Sequence, residues 1–275
     1  LKEGYRLIKS KGLEKEAIKL LTLELSGLDG TNFLLNMDMD ADEETKNKIL
    51  NAYQSYIDGI PVQHIIGYSY FYGYKIKVGP NVLIPRSETE ELVGYVLSYF
   101  DDYFDSPVKV VDVGTGSGNI AIALKNEENR MDVYATDISN EALEEAKENA
   151  KNNGAEITFL QGNMLDPIIE RDLKFDILVS NPPYIPDDEY VEPIVKDNEP
   201  NIALFGGVNG MKFYEEIFNN AHKVLNNKFI MAFEHSHKTK EDMVNLAKRY
   251  FPTSRVESIK DMQGKDRFTV VIMEE

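Results

Sequence analysis

The sequence lacks cysteine altogether among its 275 residues. A disulfide framework, a thiolate zinc site and a cysteine nucleophile are therefore excluded. It also lacks a signal-peptide pattern and any apolar run of the roughly 18 residues that a membrane-spanning helix needs. We therefore expect a soluble, cytoplasmic protein with no membrane partner. Because the chain begins with Leu1, we also expect its natural start to lie further upstream.

Basic residues are too few to balance the acids. The formal net charge is -17, from 30 Lys and Arg against 47 Asp and Glu. A large duplex or RNA footprint needs clustered basic side chains, so we expect no stable nucleic-acid binding. A small nucleic-acid target or a basic protein partner remains open. The length suffices for two domains and a substantial core.

Residues 1 to about 60 are predicted to be helical. Apolar residues between Glu16 and Leu25 fit one amphipathic helix that is closed by Gly27, and a second is predicted from about Ala41 to Asp58. Residues 31–35 are predicted to form a short helical turn between them. This region carries no catalytic signature, so it is either a bundle that only packs or a docking platform for a macromolecular substrate. We assign residues 1–60 as a substrate-docking domain.

Residues 61–86 are predicted to form a β-hairpin linker. Tyrosines alternate with smaller residues from Tyr68 to Tyr74, Gly73 marks a turn, and the strand pattern runs from Pro61 to Pro85. The residues that follow, 87–90 (Ser-Glu-Thr-Glu), predict a capping box at the start of a helix.

The third predicted domain, residues 87–275, alternates strands with helices. This alternation predicts an α/β fold with a doubly wound, mostly parallel sheet of seven strands. The predicted strands are 108–113, 131–137, 157–161, 175–180, 229–234, 255–260 and 267–273. The predicted helices are 119–126, 140–153, 210–224 and 239–250, with Gly154 at a helix C-cap.

A glycine-rich loop follows the first of these strands and opens a helix. After Asp112 and Val113 it runs Gly114, Thr115, Gly116, Ser117, Gly118. Glycines allow a tight turn and close approach to a ligand, and Asp137 ends the next strand, where an acid typically holds ribose hydroxyls. The pattern fits a dinucleotide fingerprint, a site for S-adenosylmethionine (SAM), or a tight turn without a ligand.

A tetrapeptide after the fourth strand carries the strongest signal: Asn181, Pro182, Pro183, Tyr184. It should lie at the C-terminal edge of the sheet, where ligands bind. The Asn181 side-chain oxygen and the carbonyls of a turn stiffened by two prolines are acceptors, and Tyr184 adds a flat ring. The group suits a planar, neutral NH2, such as an amide or a base amine. A dehydrogenase has no need of such a site, so the tetrapeptide favours SAM over a dinucleotide.

Two further residues are candidates for the cofactor site. Asn163 and Met164 follow the third strand, where they either meet an adenine ring or belong to an ordinary loop. A metal site is not expected, because His235 and His237 would face opposite ways in an extended chain.

Together these motifs resemble class I SAM-dependent methyltransferases that act on nitrogen. Residues 61–67 and 82–93 resemble the segment before the SAM domain in the HemK/PrmC family, the peptide-chain-release-factor glutamine methyltransferases. The similarity spans roughly residues 60–275. It includes several positions after the tetrapeptide: Glu199, Pro200, Ala203, Leu204, Gly206, Gly207 and Gly210.

The resemblance implies a Rossmann-like SAM domain and a specific reaction. The substrate would be the side-chain amide nitrogen of the glutamine in the Gly-Gly-Gln (GGQ) loop of class I release factors, and the second product S-adenosylhomocysteine. The resemblance places SAM contacts on Gly114 to Gly118, Asp137, Met164 and Asn181. It places the glutamine site on the tetrapeptide 181–184. We expect Tyr184 to pack on the amide plane.

The sequence departs from the family pattern at three places, which concern the adenine wall rather than the chemistry. Ser87 stands where the family often has proline, Met164 where it often has an aromatic ring, and residues 234–237 replace a glycine-containing stretch. Arg86, Glu88 and Glu90 either line the substrate entrance or pair locally. Two rival functions stay open: a nucleic-acid amine methyltransferase acting on a flipped adenine or guanine, and a non-catalytic SAM-binding protein.

Overall fold

The computed structural model describes residues 1–9 and 12–274. Ser10, Lys11 and Glu275 fall inside the predicted domains and lie outside the described residues. None of the helices in the described part is long and apolar enough to cross a membrane.

Helices and strands alternate through most of the described chain. The helices are α1 (Lys2–Ile8), α2 (Lys15–Ser26), α3 (Gly30–Leu35), α4 (Glu43–Ile57), α5 (Val62–Ile66), α6 (Ser87–Tyr103), α7 (Asn119–Glu127), α8 (Asn140–Asn152), α9 (Asp166–Ile169), α10 (Pro193–Lys196), α11 (Lys212–Ala221) and α12 (Lys240–Tyr250). The strands are β1 (Tyr68–Phe71), β2 (Tyr74–Lys77), β3 (Val108–Val113), β4 (Met131–Asp137), β5 (Ile157–Gln161), β6 (Phe175–Ser180), β7 (Leu225–Glu234), β8 (Arg255–Lys260) and β9 (Asp266–Met273).

Seven strands form one sheet in the order β5-β4-β3-β6-β7-β9-β8. β5, β4, β3, β6 and β7 are parallel, and β9 runs antiparallel to both β7 and β8. The prediction of a doubly wound, mostly parallel seven-stranded sheet is confirmed. The strand order reverses beside β3, whose neighbours are β4 and β6, and such a switch point opens a crevice at the carboxyl ends of the strands.

The sheet is buried on both faces, which explains its nearly continuous apolar strands. Neighbouring residues of a strand point to opposite faces. Val110 therefore packs in one core cluster with Ile120, while Val111 packs in the other with Phe218. Helices cover each face, and the strand ends that carry the predicted motifs are held between two packed layers.

The described residues form two compact units. The first comprises Leu1–Tyr68 with Val191–Asn198, and the second Ser69–Tyr190 with Glu199–Glu275. The first has a core of its own around the fully buried Tyr53. The short segment 191–198 joins that unit although it follows the tetrapeptide in sequence.

Several sequence predictions differ from the structure at element ends. The strand pattern predicted from Pro61 is wrong at its start, because Val62–Ile66 forms helix α5. The capping box is also wrong: the Arg86 N-cap of α6 receives no side-chain hydrogen bond. The Glu90 carboxylate accepts instead from the backbone N–H of Tyr72, at 2.8 Å. β7 begins at Leu225 rather than 229, with a register shift against β6.

Candidate active site

A cavity of about 240 Å³ lies in the second unit, among the loops that follow β3, β4, β5 and β6. Of the twelve predicted site residues, nine line it: Gly114, Thr115, Gly116, Ser117, Asp137, Asn163, Met164, Asn181 and Pro183. The remaining three, Gly118, Pro182 and Tyr184, do not line it. Segments far apart in sequence therefore meet at the switch point of the sheet.

The glycine loop is shaped for the close approach of a ligand. Gly114 and Gly116 have φ of 73° and 53°, a left-handed backbone that favours glycine. A Cβ added to either would meet no protein atom within 4 Å, so the space beside them is open. The N–H groups of Gly114 and Thr115 both donate to the Thr136 carbonyl at 2.9 Å, which fixes the loop to β4.

Gly118 has a different structural task. An added Cβ there would lie 3.1 Å from the Cβ of Ala146 on α8. Gly118 is also the N-cap of α7, with φ of 81°. Its lack of a side chain lets α7 and α8 pack closely, which explains why it lies away from the cavity lining.

Asp112 holds the loop from beneath. Its side chain is fully buried, and its Oδ2 accepts from the Thr115 hydroxyl at 2.6 Å. Burial raises the pKa of the Asp112 carboxyl to about 7, although the hydrogen bond from Thr115 opposes the shift. Asp112 thus fixes the backbone of the loop, while the loop itself lines the cavity.

Asp137 stands at the end of β4 with both carboxylate oxygens engaged. Oδ2 accepts from the Gly116 N–H at 2.8 Å, and Oδ1 accepts from the Ser139 N–H at 2.9 Å. Burial raises the pKa of Asp137 above its usual value, and the two N–H donors act in the opposite direction. A carboxylate oxygen has a second lone pair, so this oriented group can still accept from a diol in the cavity.

Asn163 and Met164 contribute the wall after β5. Met164 has φ of 42° and is nearly buried, and its carbonyl accepts from the Thr136 hydroxyl at 3.0 Å. The Asn163 amide donates to the Glu216 carboxylate. The thioether of methionine can offer a flat ring a polarizable, apolar contact.

The tetrapeptide begins directly after β6. Ser180 anchors the end of the strand by donating to the Val113 carbonyl at 2.7 Å. Asn181 lines the cavity, and its side-chain nitrogen donates to the Thr89 hydroxyl at 3.1 Å. Pro183 lines the cavity as well, whereas the Pro182 side chain is buried.

Tyr184 does not lie where a ring packed on an amide in the cavity would be expected. Its half-buried side chain packs against the apolar cluster that contains Tyr214 and Phe233. Burial raises the pKa of its phenol, and the Glu234 carboxylate adds to the shift. Tyr184 thus supports the tetrapeptide from the side of the core.

A second loop packs on the backbone of the tetrapeptide. A Cβ added to Gly206 would lie 2.4 Å from the Pro183 carbonyl oxygen, and one added to Gly210 would lie 2.3 Å from that of Tyr184. Ile185 pairs with this loop through hydrogen bonds to Leu204 and Gly206. Only glycine fits at 206 and 210, so the loop holds the tetrapeptide by direct backbone contact.

Sequence reasoning missed the polar groups that surround Asn181 and Arg86. Glu199, which is only 4% exposed, accepts from the Ile84 N–H at 2.9 Å and from the Arg86 guanidinium at 2.6 Å. Arg86 lines the cavity, whereas Glu88 and Glu90 do not. The Glu199-Pro200 pair was a visible signal, but its partner lies 113 positions away.

No group of three or more His, Cys, Asp or Glu side chains within residues 1–9 and 12–274 could hold a metal ion. His235 is buried, with its ring nitrogens at 2.8 Å from the Ser236 carbonyl and 2.9 Å from the Thr269 hydroxyl. Burial lowers the pKa of this imidazole.

Comparison with known proteins gives matches along the whole chain. The family described as "Methyltransferase domain" matches residues 104–272, and the "PrmC N-terminal domain" matches residues 1–67. The chain is 39% identical to a release factor glutamine methyltransferase of Bacillus cereus, over 100% of this chain and 98% of that protein. It is 38% identical to the protein of the same name from Bacillus subtilis, over 97% and 94%.

A solved structure agrees in fold. The methyltransferase of Pyrococcus furiosus aligns with a TM-score of 0.52 and 17% identity, covering 84% of this chain and 98% of that one. At this identity the likeness concerns the fold alone.

Proposed function

The chain belongs to the family of release factor glutamine methyltransferases, and on that premise we propose that it methylates the GGQ glutamine of class I peptide chain release factors. The methyl group would come from SAM and go to the side-chain amide nitrogen. The observation that carries the proposal is the position of Asn181: it shares one cavity with the glycine loop and Asp137. An amide acceptor therefore stands beside residues that suit a nucleoside.

The residues around the cavity fit SAM. The open backbone at Gly114 and Gly116 leaves space for its amino-acid part, and the oriented carboxylate of Asp137 can accept from the two ribose hydroxyls. Asn163 and Met164 would flank the adenine. SAM, when bound, supplies a methyl group on a positively charged sulfur. The chain's own task is to present the nitrogen to that methyl group.

Asn181 and Pro182 would hold the target amide. An amide nitrogen is a poor nucleophile because its lone pair is delocalised into the carbonyl group. The Asn181 side-chain oxygen, which lines the cavity, can accept one N–H of the glutamine. Pro182 does not line the cavity itself, so its backbone carbonyl can accept the other N–H only from an amide that reaches past Asn181. Together the two acceptors would leave one face of the nitrogen directed at the methyl group. The Asn-Pro-Pro-Tyr backbone is stiff, so this geometry is set before the substrate binds, and catalysis rests mainly on positioning.

Proton loss needs no strong base before the transfer. The nitrogen becomes positively charged as it gains the methyl group, so its N–H becomes acidic and the proton can leave afterwards. The acceptors at Asn181 and Pro182 interact most strongly with the N–H groups at that stage, because the donor is then charged. They therefore favour the transition state over the neutral substrate.

We assign the first 60 residues to docking the rest of the release factor. Support comes from large apolar side chains that this part exposes: Leu34 is 60% exposed, Leu35 77% and Met39 71%. Large contiguous patches of exposed apolar side chains are typical of protein-binding surfaces, and these three side chains lie within six positions of one another. A release factor works on ribosomes, so the proposal also places the enzyme in the cytoplasm.

The experiment that tests the proposal measures transfer of a labelled methyl group from SAM. The full chain is given an intact class I release factor, and in parallel DNA and RNA. We expect label on the release factor alone, and its loss with Asn181→Ala by about 100- to 1000-fold, the usual effect of removing one preorganised partner. Label on nucleic acid alone would support the rival amine methyltransferase, and SAM binding without transfer to any acceptor would support a non-catalytic protein.

A further inference from the structure

Asn181 is the first member of a chain of buried hydrogen bonds that ends on a carboxylate. Its side-chain nitrogen lies 3.1 Å from the Thr89 hydroxyl oxygen on α6. The same oxygen lies 2.7 Å from Oε2 of Glu234, the last residue of β7. Thr89 and Glu234 are each only 2% exposed, so water does not compete for these bonds.

The direction of each bond in this chain follows from counting protons. An ionised carboxylate can only accept, so the single hydroxyl proton of Thr89 must point to Glu234. The Thr89 oxygen can then only accept from Asn181. Asn181 must therefore turn its NH2 group to Thr89, which leaves its Oδ1 on the opposite side of the carboxamide.

This orientation matters because the two ends of a carboxamide have nearly the same shape. If Asn181 were reversed, it would present an NH2 group to the substrate amide, and donor would face donor. Packing alone distinguishes the two orientations poorly, whereas the Thr89 oxygen distinguishes them by hydrogen bonding.

We propose that Thr89 and Glu234 are positioning residues for the methyl transfer: the Glu234 carboxylate orients the Thr89 hydroxyl, and Thr89 thereby fixes the Asn181 carboxamide with its oxygen available to the substrate. The inference rests on the proposed function, in which Asn181 is the acceptor for the target amide. Neither residue needs to touch the substrate for this role.

The protonation state of Glu234 sets the direction of these hydrogen bonds. Burial raises the pKa of its carboxyl to about 7, and the Thr89 hydroxyl and Arg267 act in the opposite direction. The Glu88 carboxylate also faces it and raises this pKa, whereas a hydrogen bond from the Tyr184 phenol lowers it. The Tyr214 hydroxyl donates to the backbone carbonyl of Glu234 at 2.6 Å. A protonated Glu234 can donate to Thr89, which frees the Thr89 proton for Asn181 Oδ1 and permits the reversed carboxamide.

The test compares Thr89→Val, which keeps the shape and removes the hydroxyl, with Thr89→Ser, which keeps the hydroxyl. The matched control is Thr269→Val, which removes a hydroxyl that is equally buried but binds His235. For each protein we would measure kcat and KM on an intact release factor from about pH 6 to about pH 9, the SAM dissociation constant and the melting temperature.

We expect Thr89→Val to lower kcat by about 10- to 100-fold, the range seen for outer partners that orient metal ligands, with little change in KM or SAM affinity. In the wild type, kcat should fall at low pH as Glu234 becomes protonated, and this fall should be absent in Thr89→Val. Thr89→Ser should keep both the wild-type kcat and its fall at low pH. Thr269→Val should lower only the melting temperature. A purely structural role for Thr89 predicts instead that Thr89→Val and Thr269→Val behave alike. Equal loss in the Ser and Val variants, or wild-type kcat in Thr89→Val, would overturn the inference.

An activity-independent readout separates this inference from the proposed function. In NMR spectra of the full chain, the side-chain NH2 signals of Asn181, assigned by their loss in Asn181→Ala, should shift with pH as Glu234 titrates. The shift should vanish in Thr89→Val and in Glu234→Gln. If the shift is present but no release factor is methylated, the hydrogen-bonded connection from Glu234 through Thr89 to Asn181 is supported and the proposed substrate is wrong. If methylation occurs but the Asn181 signals of the wild type do not shift as Glu234 titrates, the inferred roles of Thr89 and Glu234 are wrong.

Discussion

At the scale of single residues, glycines in similar sequence motifs do different work. Gly116 has open space where a side chain would project, whereas Gly118 lies against Ala146 and Gly206 lies against the Pro183 carbonyl. The sequence shows that glycine is needed at each position but not whether a ligand or the protein itself requires it. The difference is measurable, because only the first kind should affect ligand affinity.

Gly116→Ala should weaken SAM binding by about tenfold or more, because overpacking typically costs about 1–3 kcal/mol. The matched control is Gly154→Ala. Gly154 also has positive φ, 67° against 53°, and also has no protein atom within 4 Å of an added Cβ. Both variants should lose similar stability from backbone strain. Equal SAM affinity of the two variants in calorimetry would contradict the placing of SAM at this loop.

Glu234→Gln should raise the melting temperature at alkaline pH. The folded-state pKa of Glu234, about 7, lies above the usual value of 4.5. Its favourable contribution to folding is therefore complete below about pH 4.5 and is lost as the pH rises through about 7. A neutral glutamine avoids the cost of a buried charge, so the gain should be larger at pH 8 than at pH 5. If Glu234→Gln lowers the melting temperature at both pH values, the Thr89 hydrogen bond and Arg267 offset the cost of burying the Glu234 charge.

At the scale of elements, the cores of strands and helices follow from the sequence, whereas only some of their ends do. β3, β4, β5 and β6 begin and end as predicted, because apolar runs buried on both faces have sharp polar boundaries. Val62–Ile66 became a helix although the strand pattern was expected to begin there. The capping box failed because Glu90 accepts from Tyr72, a partner 18 positions away that local pattern cannot show.

Gly206→Ala should displace the backbone of the tetrapeptide while leaving SAM binding nearly unchanged. Its Cβ would lie 2.4 Å from the Pro183 carbonyl oxygen and 2.9 Å from the Tyr184 Cα, so the backbone of the tetrapeptide must move. A misplacement of about 1 Å can cost about 100-fold in rate. We expect kcat to fall by about that factor, with SAM affinity nearly retained.

Gly94→Ala is the control for that variant. Gly94 lies in α6, and its added Cβ would meet only the Tyr72 hydroxyl at 4.0 Å. Alanine in a helix interior is favoured over glycine by about 0.5–1 kcal/mol, so this protein should be slightly more stable and fully active. Should Gly206→Ala keep the wild-type kcat, the backbone contact would have no role in positioning the acceptors.

At the scale of the whole molecule, the site could be predicted in part. The glycine loop, Asp137 and Asn181 each follow a strand, so sequence alone could bring them to one edge of the sheet. Thr89 could not be found in this way, because it lies 92 positions from Asn181 and 145 from Glu234. Such pairs depend on how α6 crosses the sheet, which no local pattern encodes.

The assignment of the first 60 residues to docking predicts a difference between substrates. The double variant Leu34→Ser, Leu35→Ser should lower kcat/KM for an intact release factor by about tenfold, because burying each leucine contributes about 1.5–3 kcal/mol when complete. It should leave kcat/KM for a short GGQ peptide unchanged. A loss of equal size with both substrates, measured in the same assay, would contradict a docking role for this surface.

The proposed reaction is tested most directly by mass mapping of an intact class I release factor after incubation with the protein and SAM. We expect one added methyl group, on the side-chain amide of the GGQ glutamine. We expect none on a release factor whose GGQ glutamine is replaced by glutamate, because glutamate has no amide nitrogen. An unmodified glutamine, together with methylated adenine or guanine in nucleic acid treated in parallel, would contradict the proposed reaction.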